Sequence, residues 1–351
     1  MAYWIKGLCL AGMVLTGAAA VAQNANPSAS QKGLTEAQWV SPGTPGSPIN
    51  GEIFHAQVLL DAAGFPAGVI DGKKGMSFKK AVQGFQESRG LPTTGELDTP
   101  TRQALLKLGR ISTRYLKLDS VVFEGPFTNP LPRKPEAQAK LNFLGYRNQL
   151  EKLAEMFHTT PDTIVALNGP DKKMSEGEVL RLPNALPASR SYGDKLKPEY
   201  AKWFNALNVD ANQPEGDHVL VDKSEGVLKV MDSADKLVAQ FPVTMGSGHD
   251  PLPLGNWKVT TYAYLPPFNY QPDLFWDVAD TKSEQRLPPG PNGPVGIAWL
   301  DLTKENYGIH GTNAPETIGR AESHGCIRMT NWDVLRLTRM MKPGFKAVFK
   351  A

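Results

Sequence analysis

A cysteine set among small and polar residues is where chemistry is first to be sought. Cys326 lies in Ser323-His324-Gly325-Cys326-Ile327-Arg328-Met329, a run that begins thirteen residues after His310 of His310-Gly311-Thr312. A structural thiol more often sits inside an apolar, periodic stretch. Cysteine attacks as thiolate, and at an ordinary pKa of about 8.5 only a small fraction is ionised near neutrality. A nearby imidazole and a helix N-terminus both favour the charged form, and this segment offers both. Two histidines qualify as the base. His324 shares a face with Cys326 in extended backbone, although a turn at Gly325 would part them. His310, at the end of a strand-like run, can approach from a neighbouring strand and is slightly favoured. Gly325 lets the chain turn so that the amides of His324, Gly325 and Cys326 converge on one oxygen, an oxyanion hole.

The elements that must hold these residues are short and β-rich. His218–Asp222, Val227–Met231, Lys236–Met245, Trp257–Tyr262, Val295–Leu300 and Tyr307–His310 are separated by turn residues such as Lys223-Ser224-Glu225-Gly226, which predicts a mainly-β sandwich or barrel over 217–351. One late helix follows the cysteine. Thr330 and Asp333 form its capping box, Val334, Leu337, Met340 and Met341 its apolar stripe, and Pro343-Gly344 its stop.

Upstream, apolar residues recur at helical spacing in three segments: Ala56, Leu59, Leu60 and Ala63 up to Gly64; Phe78, Ala81, Val82 and Phe85; then Ala104, Leu105 and Leu108 after Thr99-Pro100. These predict a small three-helix bundle over 51–110. Residues 111–140 read as a Pro-interrupted connector with one strand-like run, Tyr115–Phe123. Over 141–185 come a helix with Leu153, Ala154 and Phe157, a second capped by Thr160-Pro161, and a short strand ending at Pro183. A linker, 186–216, carries a short helix near Glu199–Leu207.

The first residues read as an export signal, with Lys6, an apolar run from Gly7 to Ala20 and a cleavable Ala20-Val21-Ala22. The run is short for a membrane span, and no later segment of the sequence is long and apolar enough for one. The expectation is a signal peptide over 1–22, a flexible leader over 23–50, and a mature protein in the periplasm or cell wall, not integral to the membrane. Removing the signal removes Cys9, so Cys326 remains as a lone thiol in an oxidising compartment. With 41% hydrophobic and 21% charged residues and a net charge of +3, the 351-residue chain is too apolar for a disordered chain and not basic enough for a nucleic-acid partner.

Three resemblances sharpen this. Gln57-Val58-Leu59-Leu60, Gly64-Phe65, Asp71-Gly72, Ala81-Val82, Phe85-Gln86, Gly90-Leu91, Gly95, Thr101 and Ala104-Leu105 resemble a helical peptidoglycan-binding domain. Leu167-Asn168 and Gly177–Pro183 resemble a LysM glycan-binding module, although Gly145-Tyr146-Arg147-Asn148 stands where a LysM module begins with Gly-Asp. His310-Gly311-Thr312 and Ser323–Met329, with Pro253–Trp257, Pro288–Pro294 and Tyr307-Gly308-Ile309, resemble the YkuD-type L,D-transpeptidase catalytic domain.

That last resemblance implies roles. Cys326 is the acyl-accepting nucleophile, His310 its base, and the Gly311 carbonyl orients the imidazole; the amides of His324, Gly325 and Cys326 form the oxyanion hole. Arg328, Ser323 and Tyr307 lie on the substrate side, with Arg328 equally readable as a structural ion-pair member. No cofactor or metal is implied. The reaction is transfer of a tetrapeptide stem of peptidoglycan, through a thioester, to an amine of a second stem or of a lipoprotein lysine. Water as acceptor would make the chain a carboxypeptidase. Two rivals remain from the residues: a zinc site built from His249, His310, His324 and Cys326, whose His-x-Cys spacing is not a usual zinc pair, and a non-catalytic wall-binding adaptor. His55, His158 and His218 read as surface or half-buried residues. Asp250–Pro294, rich in proline and aromatics including Tyr262, Tyr264, Phe268, Tyr270, Phe275 and Trp276, is expected to fold as a stiff lid over the thiol.

Overall fold

The computed structural model describes residues 49–194, 196–274 and 283–351. The expected signal peptide, nearly all of the leader, and Phe275 and Trp276 of the expected lid lie outside them.

Side-chain caps set two of the three N-terminal helices. Asn50 caps α1 (Gly51–Ala63) by accepting from Ile53 N at 3.1 Å, and Gly64 ends it in the left-handed region at φ +90°. α2 (Met76–Ser88) follows, and Asp98 caps α3 (Thr99–Leu106), with Pro100 in its first turn. Leu59, Leu60, Phe78, Val82 and Phe85 form their shared core, with Phe65 meeting Phe85 edge-on. The polar residues of this pattern are loop clamps. Gln57 Oε1 accepts from the amides of Asp71 and Gly72, and Gln86 joins Gly95 N to Thr101 Oγ1.

The second unit begins earlier than the sequence suggests. β1 (Thr113–Lys117) pairs antiparallel with β2 (Val179–Pro183), and between them lie α4 (Ser120–Phe123), α5 (Pro135–Gln138), α6 (Gln149–Met156) and α7 (Pro161–Asn168). The stretch taken as connector therefore supplies a strand. The strand expected over Tyr115–Phe123 stops at Lys117, because Asp119 accepts from Val121 N and starts a helical turn.

The C-terminal unit opens with α8 (Pro198–Ala206) and continues through β3 (His218–Asp222), β4 (Val227–Met231), β5 (Leu237–Pro242), β6 (Thr244–Met245), β7 (Gly255–Tyr264), β8 (Phe268–Tyr270), β9 (Gln285–Leu287), β10 (Ala298–Leu302), β11 (Gly308–His310), β12 (Ile327–Arg328), α9 (Asn331–Met340) and β13 (Lys346–Lys350). Among the described residues nine strands form one sheet in the order β5-β4-β3-β13-β7-β10-β11-β12-β6. Its two outer strands, β5 and β6, are separated in sequence by Val243 alone, so the sheet curls until its ends nearly meet. The exposed edge of β5 is covered by α2: Gln240 donates to Lys80 O at 2.8 Å, and its amide donates to Gly64 O at 3.0 Å.

Several expectations need correction here. The stretch 186–216 is no free linker, since Phe204, Leu207 and Val209 are fully buried in the core of the sheet domain. Asp250–Pro294 is not one lid, because β7 runs through the centre of the sheet. The excursion is confined to the segment around the β8–β9 hairpin, whose exit is tied to the second unit by Leu144 N donating to Pro289 O at 2.8 Å. The late helix is more than amphipathic. Nearly every residue of α9 is buried, with its apolar side in the sheet core and its polar side against the two upstream units.

That polar side forms a buried knot. Arg336 Nη1 meets Asp61 Oδ1 of α1 at 3.1 Å, and His158 of the second unit contacts Asp61 Oδ2 at 3.1 Å and Leu207 O at 2.8 Å while stacking on Trp332. His158 and His55, expected at or near the surface, are thus buried, His55 against Arg110 O.

Candidate active site

Strand register brings the two halves of the motif together. β11 and β12 run parallel, with Ile309 opposite Ile327 and His310 opposite Arg328. Ile309 and Ile327 point into the core. Alternation therefore puts Gly308, His310 and Arg328 on the other face, and Cys326, one residue before β12, falls in line with Gly308. Register also puts Trp299 of β10 beside His310, and the two rings stack at 5.3 Å and 17°.

His310 is buried, and its Nδ1 donates to Gly311 O at 2.7 Å, which leaves Nε2 as the basic nitrogen of that tautomer. Burial, with Arg328 adding to it, pulls the imidazole down to about 3 despite the Gly311 contact. Burial pushes the Cys326 thiol up, opposed by the Gly308 N–H and by Arg328. The thiol itself points at Asn306 O, 3.8 Å away. Burial thus works against the charged form of both the thiol and the imidazole. This runs against the charged form that a nearby imidazole and helix start would favour, and β12 intervenes between Cys326 and α9.

The turn before the thiol is tightly specified. Gly325 sits at φ +95°, where a Cβ would come within 2.5 Å of the Tyr307 ring. Ser323 is buried, donates from Oγ to Cys326 O at 2.7 Å and anchors to Gly246 O through its amide. Its hydroxyl is spent on holding the turn. Tyr307 backs Gly325, with Lys304 over its ring, and burial and Cys326 raise its phenol. Arg328 is largely buried, its guanidinium lowered by desolvation, and its Nε has no hydrogen-bond partner among the described residues.

Gly311 is sterically required as well, because a Cβ there would collide with Asn331 Oδ1. Asn331, Trp299 and Asn306 lie outside the expected site, and Gly308 entered it only as part of Tyr307-Gly308-Ile309. Trp299 becomes visible only through strand pairing. Asn306, at φ +64°, carried the one local signal, an asparagine suited to a left-handed turn. Among the described residues, no three His, Cys, Asp or Glu side chains cluster as a metal site would require, and no helix is long and apolar enough to cross a membrane.

Comparison with known proteins matches two parts of the chain. Residues 216–349 match the family model described as "L,D-transpeptidase catalytic domain", and residues 50–105 that described as "Putative peptidoglycan binding domain". The "Putative L,D-transpeptidase YkuD" of Bacillus licheniformis is 37% identical over 110 residues, 31% of this chain and 52% of that protein. Its Bacillus subtilis namesake is 56% identical over 54 residues, 15% of this chain and 33% of that protein. The chain thus spans about half the length of the first relative and a third of the second. L,D-transpeptidase 3 from Mycobacterium tuberculosis overlays at 16% identity and a TM-score of 0.32, over 38% of this chain and 60% of that one. Residues 216–349, which hold His310 and Cys326, are an L,D-transpeptidase catalytic domain, and residues 50–105 ahead of it are a peptidoglycan-binding domain.

Proposed function

We propose that this chain is an exported cysteine L,D-transpeptidase acting on tetrapeptide stems of peptidoglycan. The supporting observation is the parallel register that sets His310, its Nδ1 pinned by Gly311 O, on the same face as Arg328 and the residue before β12. Cys326 Sγ attacks the carbonyl that joins the L-centre to the terminal D-residue, and its proton passes to His310 Nε2 as the bond forms. A concerted transfer suits a pair whose charged forms burial opposes, because no charge is buried before the substrate arrives. The amides of His324, Gly325 and Cys326 meet the developing oxyanion. Collapse expels the D-amino acid, His310 returns the proton to its amine, and a thioester remains. An amine of a second stem or of a lipoprotein lysine then attacks the thioester as its proton passes to His310, and His310 returns that proton to the departing sulfur. Water in that place gives a tripeptide.

Arg328 stabilises negative charge on sulfur or a stem carboxylate. Ser323 and Tyr307 act by shaping the turn under the nucleophile. The helical domain grips the wall, and the LysM-like unit offers an opening of about 290 Å³, lined by Asn148, Leu150, Val165, Asn168 and Lys172, in which glycan is to be sought. The β8–β9 hairpin restrains the acceptor. Replacing 271–284 with Asn-Gly leaves the Pro289–Leu144 tie intact and should raise hydrolysis relative to transfer; an unchanged ratio removes that role.

The deciding experiment incubates the purified chain with tetrapeptide muropeptides and weighs the products. Dimers mean transfer, tripeptides mean hydrolysis, and unchanged substrate means a wall-binding adaptor.

A further inference from the structure

The side chain that packs against Gly311 is itself held by another unit of the protein. Asn331, the first residue of α9, is fully buried. Its Oδ1 accepts from Ile297 N at 3.2 Å and lies against both Gly296 and Gly311, where it leaves no room for a Cβ on either. Its Nδ2 donates to the Glu155 carboxyl, at 3.0 Å to Oε2 and 3.3 Å to Oε1, and also to Pro291 O at 3.3 Å. Glu155 belongs to α6 of the LysM-like unit, 176 residues away in sequence. It is buried, and Tyr146 Oη donates to its Oε2 at 3.2 Å. Every polar atom of the Asn331 amide is therefore engaged, between the LysM-like unit on one side and the backbone that fixes the histidine on the other.

We propose that Glu155 and Asn331 are positioning residues for His310, so that the LysM-like unit completes the scaffold of the active site whether or not it binds glycan. The Gly311 carbonyl holds Nδ1, the Asn331 amide wedges Gly311 and Ile297, and Glu155 fixes the rotation of that amide. Buried polar groups of this kind cost little when fully paired and much when one partner is lost, so the arrangement is all or nothing. Burial pushes the Glu155 carboxyl up to about 8 against the hydrogen bonds from Asn331 and Tyr146, with Glu151 adding to the rise, and glutamine keeps its shape without a charge. A glutamine Oε1 can accept from Asn331 while its Nε2 donates to Tyr146 Oη.

The inference rests on His310 being the base, and the test separates the two ideas. In the full chain, Asn331→Ala, Glu155→Leu, Glu155→Gln and His310→Gln are compared for kcat, KM and melting temperature on a tetrapeptide stem. Misplacement of a catalytic group by about 1 Å costs up to about 100-fold, so Asn331→Ala and Glu155→Leu should lower kcat at least about tenfold. KM should stay within about twofold, since no substrate contact is removed. Glu155→Gln should restore kcat to within about threefold of the parent, which a loss of stability alone would not explain. Should Asn331→Ala fail to fold, the Glu155 pair decides, because that position lies outside the catalytic sheet. Full kcat in Glu155→Leu, or an equal loss in Glu155→Gln, overturns the relay. Retained activity in His310→Gln overturns the base assignment instead, whatever the other variants do.

Discussion

Two histidines in this molecule are buried and stacked on tryptophan, and on the proposed mechanism they do opposite work. His158 lies on Trp332 at 4.9 Å, and both of its nitrogens face acceptors, the Asp61 carboxylate and Leu207 O. His310 lies on Trp299 at 5.3 Å and is fixed through Nδ1 by one backbone carbonyl. An aromatic wall and burial are therefore no mark of catalysis. Double pairing turns one ring into a rivet between three units, whereas single pairing leaves the other a nitrogen on which a proton can land.

The sharpest way to break this contrast is to remove each ring. His310→Gln should cut acylation of Cys326 by about 10²–10⁴-fold with little change in melting temperature. His158→Gln should lower the melting temperature and leave turnover at a permissive temperature nearly intact. If the two profiles coincide, the division of labour fails.

The rivet itself has a pH signature. Burial works against ionisation of Asp61, but His158 and Arg336 outweigh it and hold the carboxyl down to about 2. A depressed carboxyl stabilises the fold above its unfolded value near 3.8 and loses that contribution as pH falls towards 2. Asp61→Asn should cost about 3–5 kcal/mol at neutral pH, because it leaves the buried Arg336 guanidinium short of a partner. It should also flatten the acid limb of stability between those values in a denaturant titration, and an unchanged limb would assign acid unfolding elsewhere.

The smallest effect belongs to Arg328. Burial and Arg328 together hold His310 at about 3, so the base stays neutral and kcat/KM should hold down to acid pH, falling as pH drops through that value. Arg328→Met removes the repulsion on the imidazolium and should move the acid limb to higher pH. A limb that stays in place would make desolvation the whole cause.

Much of the site was legible because its residues are neighbours in sequence. Ser323–Arg328 is one turn and one short strand, and local chemistry alone marked Cys326 as unusual. The helices were legible for a similar reason: Asn50, Asp98, Thr160 and Thr330 each cap from within four residues. What stayed hidden depends on pairing between distant segments. The bounds of β1, Thr113–Lys117 against the expected Tyr115–Phe123, are fixed only where β2 lies beside it, Trp299 is anonymous until β10 meets β11, and Asn331 reads as helix start rather than as a wedge under Gly311. The burial that raises the thiol is hidden too, because desolvation is set by everything packed around the site, which no local window contains.

The seam between α2 and β5 carries a consequence for reach. Gln240 seats against Gly84 and bonds Lys80 O, Lys229 pairs with Glu87, and the core of the helical bundle continues into Met231 and Leu237 of the sheet. The two parts are fused as firmly as the halves of a calliper. With the helical bundle gripping a glycan strand, the thiol would meet stems only at a set offset from that grip, and the spacing of new bonds along the wall would be a dimension of the protein instead of the sweep of a tether.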